Sequence, residues 1–338
     1  MSGAARRFPA TIFRAGPGLV LMVVVGMSAA VGQLGQPGPA GGAAGPPGQV
    51  PPRQGTPTGR GGPAPAVRRP RPPAWVPLPP AHAKAVDDIL RYWEQRTNKI
   101  TRFRCKYKRF EYDPVFGPRD PKKFRVFARG TIQYAAPDKG LYQDEEVWLF
   151  GKTKEHPEGT YVRQPELRIG EHWVCDGKSI FQFDYAHKKL VEFQLPPEVQ
   201  GTAIRHGPLP FVFGAKADDI RRRFWVRIIT PPERARGKNP EYWLEAVPKH
   251  QEDAAEYRVI HLIIDQKEFL PKAMIMFGRV NGSRKQLEFH DREVNFSVLA
   301  EKLNLFHRQF YEPKTPSGWT KDVRKVQQVA AGSNAPRR

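Results

Sequence analysis

Apolar residues first recur at helical spacing shortly after residue 80. Val86, Ile89, Leu90 and Trp93 fall at positions i, i+3, i+4 and i+7, which places their four side chains on one face of a helix. Charged residues occupy the opposite face. The pattern therefore predicts one amphipathic helix at the start of a globular domain.

After this helix the period of the apolar residues changes to two. Phe103, Cys105 and Tyr107 alternate with basic residues, as in a strand with one buried face. Phe110 and Tyr112 then resume one residue out of step, which predicts a β-bulge between the two runs. This segment is the first predicted strand.

Further alternating or apolar runs, each bounded by Gly, Pro or Asp, predict a series of antiparallel strands. Asp176-Gly177 is a strong hairpin signal because glycine readily takes the positive φ that tight turns need. A short helix is predicted over 211–223. The fold class is thus mostly β (α+β), a long antiparallel sheet covered on one face by a few helices. The predicted strands cover 124–134, 147–149, 173–175, 180–183, 190–195, 224–229, 242–247, 257–265, 272–277 and 286–295.

The first 32 residues have the three parts of a secretory signal peptide. Arg6, Arg7 and Arg14 form the charged region, an apolar run covers 19–25, and small residues follow at 30–32. The apolar run is shorter than the 20 or so residues of a membrane span, and no Cys follows for lipid attachment. We predict cleavage after residue 32, no transmembrane anchor after cleavage, and a periplasmic or otherwise extracytoplasmic location. An uncleaved anchor is the alternative.

A Pro- and Gly-rich segment follows the signal peptide. Residues 33–80 contain few aliphatic side chains and lack the strict Gly-X-Y period of collagen, so a disordered, extended spacer is predicted. The globular domain is expected over 81–311. Residues 312–338 are expected to form a C-terminal extension and a disordered tail.

The chain is strongly basic, with 55 Lys and Arg against 34 Asp and Glu and a formal net charge of +21. Such a balance favours acidic partners, such as anionic lipid head groups, acidic polysaccharide or nucleic acid. The cations are spread along the chain instead of concentrated in one stripe, so a merely solvated surface is equally compatible with the sequence.

Known catalytic patterns are missing from the sequence. It has no Gly-rich phosphate loop, no Gly-x-Ser-x-Gly elbow and no histidine pair at metal-ligand spacing. The adjacent carboxylates Glu145-Glu146 would point to opposite faces of a strand and cannot form an acid/base pair by themselves. We therefore predict a protein that is not an enzyme, with no catalytic residue, no cofactor and no metal site.

Only two cysteines are present, Cys105 and Cys175. In an oxidising compartment they could form a single disulfide, which would stabilise the fold by roughly 4 kcal/mol. The alternative is two separately buried thiols, since both residues lie in predicted strands that need not be neighbours.

Several short motifs occur in the order found in the LolA family of periplasmic lipoprotein carriers. The segment 130–137 resembles the family's second strand and its Pro turn, and 175–180 resembles its Asp-Gly-Lys hairpin. Residues 209–211 stand at the entry to the mid-chain helix, and 242–249 resembles a strand that ends in Pro-Lys. The resemblance implies an unclosed β-barrel with helices packed on an apolar concave face.

The resemblance is closer still to a planctomycetal branch of uncharacterised secreted proteins with this domain, through 173–177 and 207–214. One position departs from the carriers. Ala136 stands where they have an Arg before the Pro of the second-strand turn, which puts lipoprotein handover itself in question.

The resemblance implies an exported non-catalytic protein that binds lipid or lipoprotein acyl chains, as a carrier or envelope sensor. The alternative is a structural or interaction module of the cell envelope that binds an anionic polymer or a partner protein. No nucleic acid partner is predicted. Plain core packing is the alternative role for each residue of the expected apolar lining, which comprises Phe103, Ile132, Tyr134, Phe181, Phe183 and Phe211.

Overall fold

The computed structural model describes residues 70–200, 216–233, 240–296 and 313–325. The predicted signal peptide and most of the predicted spacer lie outside these residues. Within them, no helix is both long enough and apolar enough to cross a membrane.

The predicted opening helix is confirmed. Helix α1 spans Pro80–Thr97, with a proline in its first turn, where the missing N–H costs no helical hydrogen bond. The predicted stripe is buried, and Trp93 has no exposed surface. The stripe consists of Val86, Ile89, Leu90 and Trp93.

Thirteen strands, two further short α-helices and one 3-10 helix, Pro197–Val199, follow in the described residues. The strands within residues 70–200 are β1 Arg102–Tyr112, β2 Val126–Ala135, β3 Lys139–Gly151, β4 Thr160–Arg163, β5 His172–Cys175, β6 Ser179–Asp184 and β7 Lys189–Gln194. The later elements are α2 Ala217–Arg223, β8 Phe224–Ile228, β9 Glu241–Pro248, α3 Gln251–Glu256, β10 Val259–Asp265, β11 Pro271–Phe277, β12 Arg284–Val294 and β13 Thr320–Lys325.

The strands form one sheet in the order β13-β7-β6-β5-β3-β2-β1-β12-β11-β10-β9-β8, and β4 pairs with β3. The described pairings are antiparallel except that β13 runs parallel to β7. The outermost strands β13 and β8 do not pair with each other in the described part of the chain, so the curved sheet is unclosed. The predicted fold class is confirmed.

One face of the sheet is covered by α1 and is called here the helix-covered face. The main apolar core lies between the stripe of α1 and alternate strand residues on this face. Its strand members are nearly fully buried and include Phe103, Ile132, Tyr142, Ile180, Leu244, Ile260, Leu262, Met274, Leu287 and Phe289.

The opposite face, called the open face, carries a smaller apolar cluster near β13. Trp319, just before β13, packs beside Phe183 and Tyr185 with ring centres 6.3 and 5.1 Å away. Two ion pairs, Lys189–Asp322 and Lys321–Glu192, accompany the pairing of β13 with β7. The C-terminal extension therefore contributes a strand to the sheet.

The predicted bulge between Tyr107 and Phe110 is wrong. Strand β1 keeps an unbroken alternation, so Arg109 takes the next buried position on the helix-covered face. Phe110 and Tyr112 then point to the open face, where each packs against Phe124. A register shift does occur in the pairing of β1 with β12, between Arg104 and Lys106, and the extra residue lies on β12.

The disulfide between Cys105 and Cys175 is not formed. Both thiols are free and buried in the main core. Cys105 lies on β1 and Cys175 on β5, with β2 and β3 between them. Three strand spacings amount to about 14 Å along the sheet, whereas a disulfide needs Cα atoms within about 7 Å.

Candidate ligand-binding face

The contact between α1 and the sheet is apolar. Among the described residues, no hydrogen bond joins the buried stripe of α1 to a strand. The indole N–H of Trp93 is buried and has no hydrogen-bond partner among the described residues. An unpaired buried donor of this kind is uncommon in proteins and could donate to a ligand carbonyl.

The polar contacts of α1 lie outside this stripe. Asp87 forms an ion pair with Arg221 of α2, and Glu94 Oε2 accepts the N–H of Ala217 at 3.0 Å. Arg96 Nε donates to the carbonyl of Glu268 at 3.2 Å. The helix is thus held to its neighbours by a few partly exposed polar groups and to the sheet by packing alone.

The structure divides the predicted lining residues between the two faces. Phe103, Ile132 and Tyr134 belong to the core beneath α1. Phe181 and Phe183 belong to the open-face cluster, because Ile180 points toward α1 and successive strand residues alternate. They cannot share a ligand site with Phe103, and that part of the prediction is corrected. Phe211 lies outside the described residues.

A buried ion cluster, missed by the sequence analysis, lies on the helix-covered face beyond the apolar core. Arg109 is 2% exposed and forms ion pairs with Asp144, Glu111 and Glu171. Lys285 Nζ lies 3.1 Å from Glu111 Oε1 and 2.9 Å from Glu171 Oε1. Tyr107 completes the cluster.

The local structure explains how Asp144 reaches Arg109. A register shift in the pairing of β2 with β3 adds one residue to β3 and turns Asp144 toward the helix-covered face. There its Oδ1 accepts the hydroxyl of Tyr107 at 2.5 Å. Gly130 is opposite Tyr107, and a Cβ at that position would lie only 2.5 Å from the tyrosine Oη.

The cluster also fixes the segment that leads into β5. The N–H of Glu171 donates to Asp144 Oδ2 at 2.8 Å, and the N–H of Asp144 donates to the carbonyl of Glu171 at 2.7 Å. The preceding residues Leu167 and Ile169 pack on a small apolar group of β2 and β3. The cluster therefore ties a loop to the sheet.

Burial and charge have opposing effects within the cluster. Burial raises the pKa of the Tyr107 hydroxyl and of the Asp144 carboxyl, the latter against the attraction of Arg109. Burial also works against ionisation of Glu111, yet the cations of Lys285 and Arg109 lower its pKa to about 2. Arg109 and Asp144 are almost fully buried, and their charged groups are occupied by each other and by the neighbouring carboxylates and hydroxyl. Such a closed arrangement suits a structural role better than acid/base chemistry, which needs access for a substrate.

His172 is a buried histidine outside the ion cluster whose pKa is strongly shifted. Its ring stacks on Phe183 with centres 4.0 Å apart, and Nδ1 lies 2.9 Å from Tyr185 Oη. Burial lowers its pKa to about 3, so the imidazole is neutral at ordinary pH. No carboxylate contacts it among the described residues. In the same part of the chain, no group of three His, Cys, Asp or Glu residues is arranged to hold a metal ion.

Comparison with known proteins gives structural matches only. No family model matches the sequence, and no curated protein matches it either. A conserved uncharacterized protein from Thermus thermophilus has 10% identity and a TM-score of 0.37, over 72% of this chain and 99% of that chain. A LolA superfamily protein from Nitrosomonas europaea has 11% identity and a TM-score of 0.27, over 63% of this chain and 94% of that chain.

The complex of Pseudomonas aeruginosa MucA and MucB also matches, with 11% identity and a TM-score of 0.30, over 65% of this chain and 60% of that chain. The architecture implied by the resemblance to LolA-like proteins, an unclosed β-sheet with a helix packed on one face, is the one that the strand order shows. At these identities and TM-scores the likeness assigns no substrate or partner. The closer resemblance to a planctomycetal branch stays a prediction.

Proposed function

We propose that this chain is an exported, non-catalytic binding protein whose helix-covered face takes the acyl chain of a lipid or lipoprotein. In this proposal α1 is a displaceable cover, and the protein acts outside the cytoplasm as a carrier or a sensor. Phe103, Ile132 and Tyr134 then contribute to the lining.

The observation that carries this proposal is the apolar contact between α1 and the sheet. Among the described residues, the stripe makes no polar contact with a strand. An acyl chain could therefore replace α1 on the sheet without breaking a hydrogen bond or an ion pair of a strand residue. The N–H of Trp93, which has no partner within the part of the chain that the structure describes, could then donate a hydrogen bond to the ligand.

Magnitudes set a length requirement for the ligand. Full burial of an apolar side chain stabilises by about 1.5–3 kcal/mol, so exposing the four stripe residues costs about 6–12 kcal/mol. A buried methylene contributes about 0.8 kcal/mol, so compensation needs roughly 8–15 methylenes. Palmitate should therefore bind, whereas octanoate should bind weakly or not at all.

The first test is native mass spectrometry with organic extraction of the full chain, exported through its own signal and purified without detergent. Bound lipid, or uptake of a fluorescent palmitate analogue that octanoate does not displace, supports the proposal. A clean apo mass together with no uptake of the analogue overturns it. Salt-sensitive binding to an anionic envelope polymer in that case would support an interaction module instead.

A second test addresses α1 itself. The Asp87→Ala, Glu94→Ala double variant removes contacts to α2 without touching the apolar stripe, and should increase the rate of analogue uptake several-fold. Lys84→Ala is the matched control, because it breaks an exposed pair with Asp88 within the same helix. Equal uptake rates for both variants would show that α1 is not the cover.

A further inference from the structure

Three exposed apolar side chains lie on two neighbouring loops at one end of the sheet, where β1 ends and β12 begins. Val115 is 65% exposed, Phe116 58% and Val280 55%. Their two loops are adjacent, since a Cβ added at Gly282 would lie 3.5 Å from the Pro114 Cβ. Residues 113–125 and 278–285 are together called the loop tip.

Internal contacts fix the conformation of the loop tip. Asp113 Oδ1 accepts the N–H groups of Val115 and Phe116 at 2.9 Å each, and Oδ2 accepts a hydrogen bond from Arg125 Nη1 at 2.7 Å. The Arg125 guanidinium lies 5.4 Å from the centre of the Phe116 ring. Val115 and Phe116 are therefore exposed on an ordered turn. The carboxylate of this turn, Asp113, already binds two backbone N–H groups and Arg125.

The loop tip is strongly basic. Its two segments hold seven Lys and Arg residues against two Asp. Four of these cations are exposed, and among the described residues they form no ion pair; they are Arg119, Lys122, Lys123 and Arg279. The Arg284 guanidinium lies 3.5 Å from the ring centre of Tyr112 and likewise has no carboxylate partner there.

Apolar side chains surrounded by unpaired cations match the chemistry of an anionic lipid surface. Cations near such a surface are attracted to lipid phosphates, and apolar side chains between them enter the boundary with the acyl region. A soluble acidic polymer would use the cations but leave the three apolar side chains in water. The combination therefore favours a membrane over a polymer.

We propose that the loop tip docks the protein onto anionic membranes, with Val115, Phe116 and Val280 inserted at the head-group boundary. This activity is independent of acyl-chain binding. A protein that does not bind vesicles could still bind an acyl chain on the helix-covered face, and a protein that binds no acyl chain could still bind vesicles. The two proposals therefore fail separately.

The test is co-sedimentation of the full chain with vesicles of pure phosphatidylcholine and of phosphatidylcholine mixed with phosphatidylglycerol. We expect binding to the mixed vesicles only, weakened by salt. Serine at all three apolar positions (V115S, F116S, V280S) should lower the partition coefficient by about tenfold or more. Val323→Ser is the matched control, because Val323 is 51% exposed on β13.

Charge-reversal variants distinguish binding through the loop tip from non-specific attraction by the net positive charge of the whole protein. Lys122→Glu with Lys123→Glu should weaken vesicle binding by about tenfold, whereas Lys99→Glu with Lys267→Glu, exposed at the opposite end of the sheet, should have little effect. Unchanged vesicle binding by the triple serine variant, or equal loss from both charge pairs, overturns the proposal. Circular dichroism and thermal unfolding confirm that each variant is folded.

Discussion

The two faces of the sheet bury their apolar side chains under covers of different kinds. The helix-covered face is closed by α1, an 18-residue helix with an apolar stripe, and by a loop tied down through the buried ion cluster. The open-face cluster is closed by a short C-terminal segment that supplies one indole, from Trp319, and a polar strand. The first cover relies on side-chain packing, and the second relies mainly on backbone pairing.

The difference predicts which face of the sheet is more sensitive to the loss of a single side chain. Removing part of the ion cluster leaves a charge enclosed, which is costly. The proposed separation of α1 from the sheet would, among the described residues, break no ion pair between the helix and a strand. On the open face, Trp319 adds two ring contacts to the backbone pairing that holds β13. Substitutions on the two faces should therefore differ in size and in character.

The largest effect is expected for Asp144→Ala in the ion cluster. It removes an enclosed partner of Arg109 and of the Tyr107 hydroxyl, so the free energy of unfolding in urea should fall by about 3–5 kcal/mol. Glu293→Ala, which breaks an exposed pair with Arg104, is the control and should cost less than about 1 kcal/mol. Similar costs for the two variants would refute a stabilising role for the cluster.

A smaller loss, about 2–3 kcal/mol, is expected for Trp319→Ala on the open face. The substitution removes the ring that packs beside Phe183 and Tyr185, so the amides of β7 should also exchange faster with deuterium. Val323→Ala, on the exposed side of β13, is the control. Unchanged exchange in β7 would show that β13 is held by its backbone alone.

The same contrast explains what the sequence could predict. Helix α1 and the strands β8 to β12 follow from periods of 3.6 and 2, because their buried faces are apolar. Strands β4 and β13 and helix α3 were missed because their residues are polar or exposed on both sides, so no period marks them.

The ion cluster was missed for a related reason. Hydrophobic periodicity treats Arg109 as an outward residue, so the apolar run after Tyr107 was shifted by one position. The alternation of Phe103, Cys105 and Tyr107, continued by one step, places Arg109 on the buried face of β1. A buried arginine requires carboxylates nearby. Which carboxylates these are depends on the register shift in β3 and on the loop before β5, which the sequence pattern does not reveal.

His172 predicts a pH dependence that belongs to the open face. Its folded pKa of about 3 lies below the value of about 6.5 in an unfolded chain, so the unfolded state binds more protons as the pH falls below about 6.5. Stability should therefore decrease on acidification, by about 2 kcal/mol between about pH 7.5 and pH 5. His172→Gln should remove this part of the pH dependence, whatever its effect at neutral pH.

The measurement is urea unfolding of wild type and His172→Gln at both pH values. His82→Gln, in an exposed part of α1, is the control and should keep the wild-type pH dependence. An equal change in stability for wild type and His172→Gln would mean that another group is responsible.

The smallest effect is expected at the two cysteines, where a reducing agent should leave the free energy of unfolding unchanged. Cys105 and Cys175 lie on strands separated by two others, and burial raises the pKa of each thiol to about 12. Neither thiol should react with Ellman's reagent in the folded protein, and both should react in urea without prior reduction, because the reactive species is the thiolate.

Cys105→Ala and Cys175→Ala should each lower the free energy of unfolding only by what a small buried side chain contributes, and the two losses should add. A mass two hydrogens lighter than the free dithiol, or a loss of stability on reduction, would show that the sheet allows the two strands to approach much more closely than their order indicates.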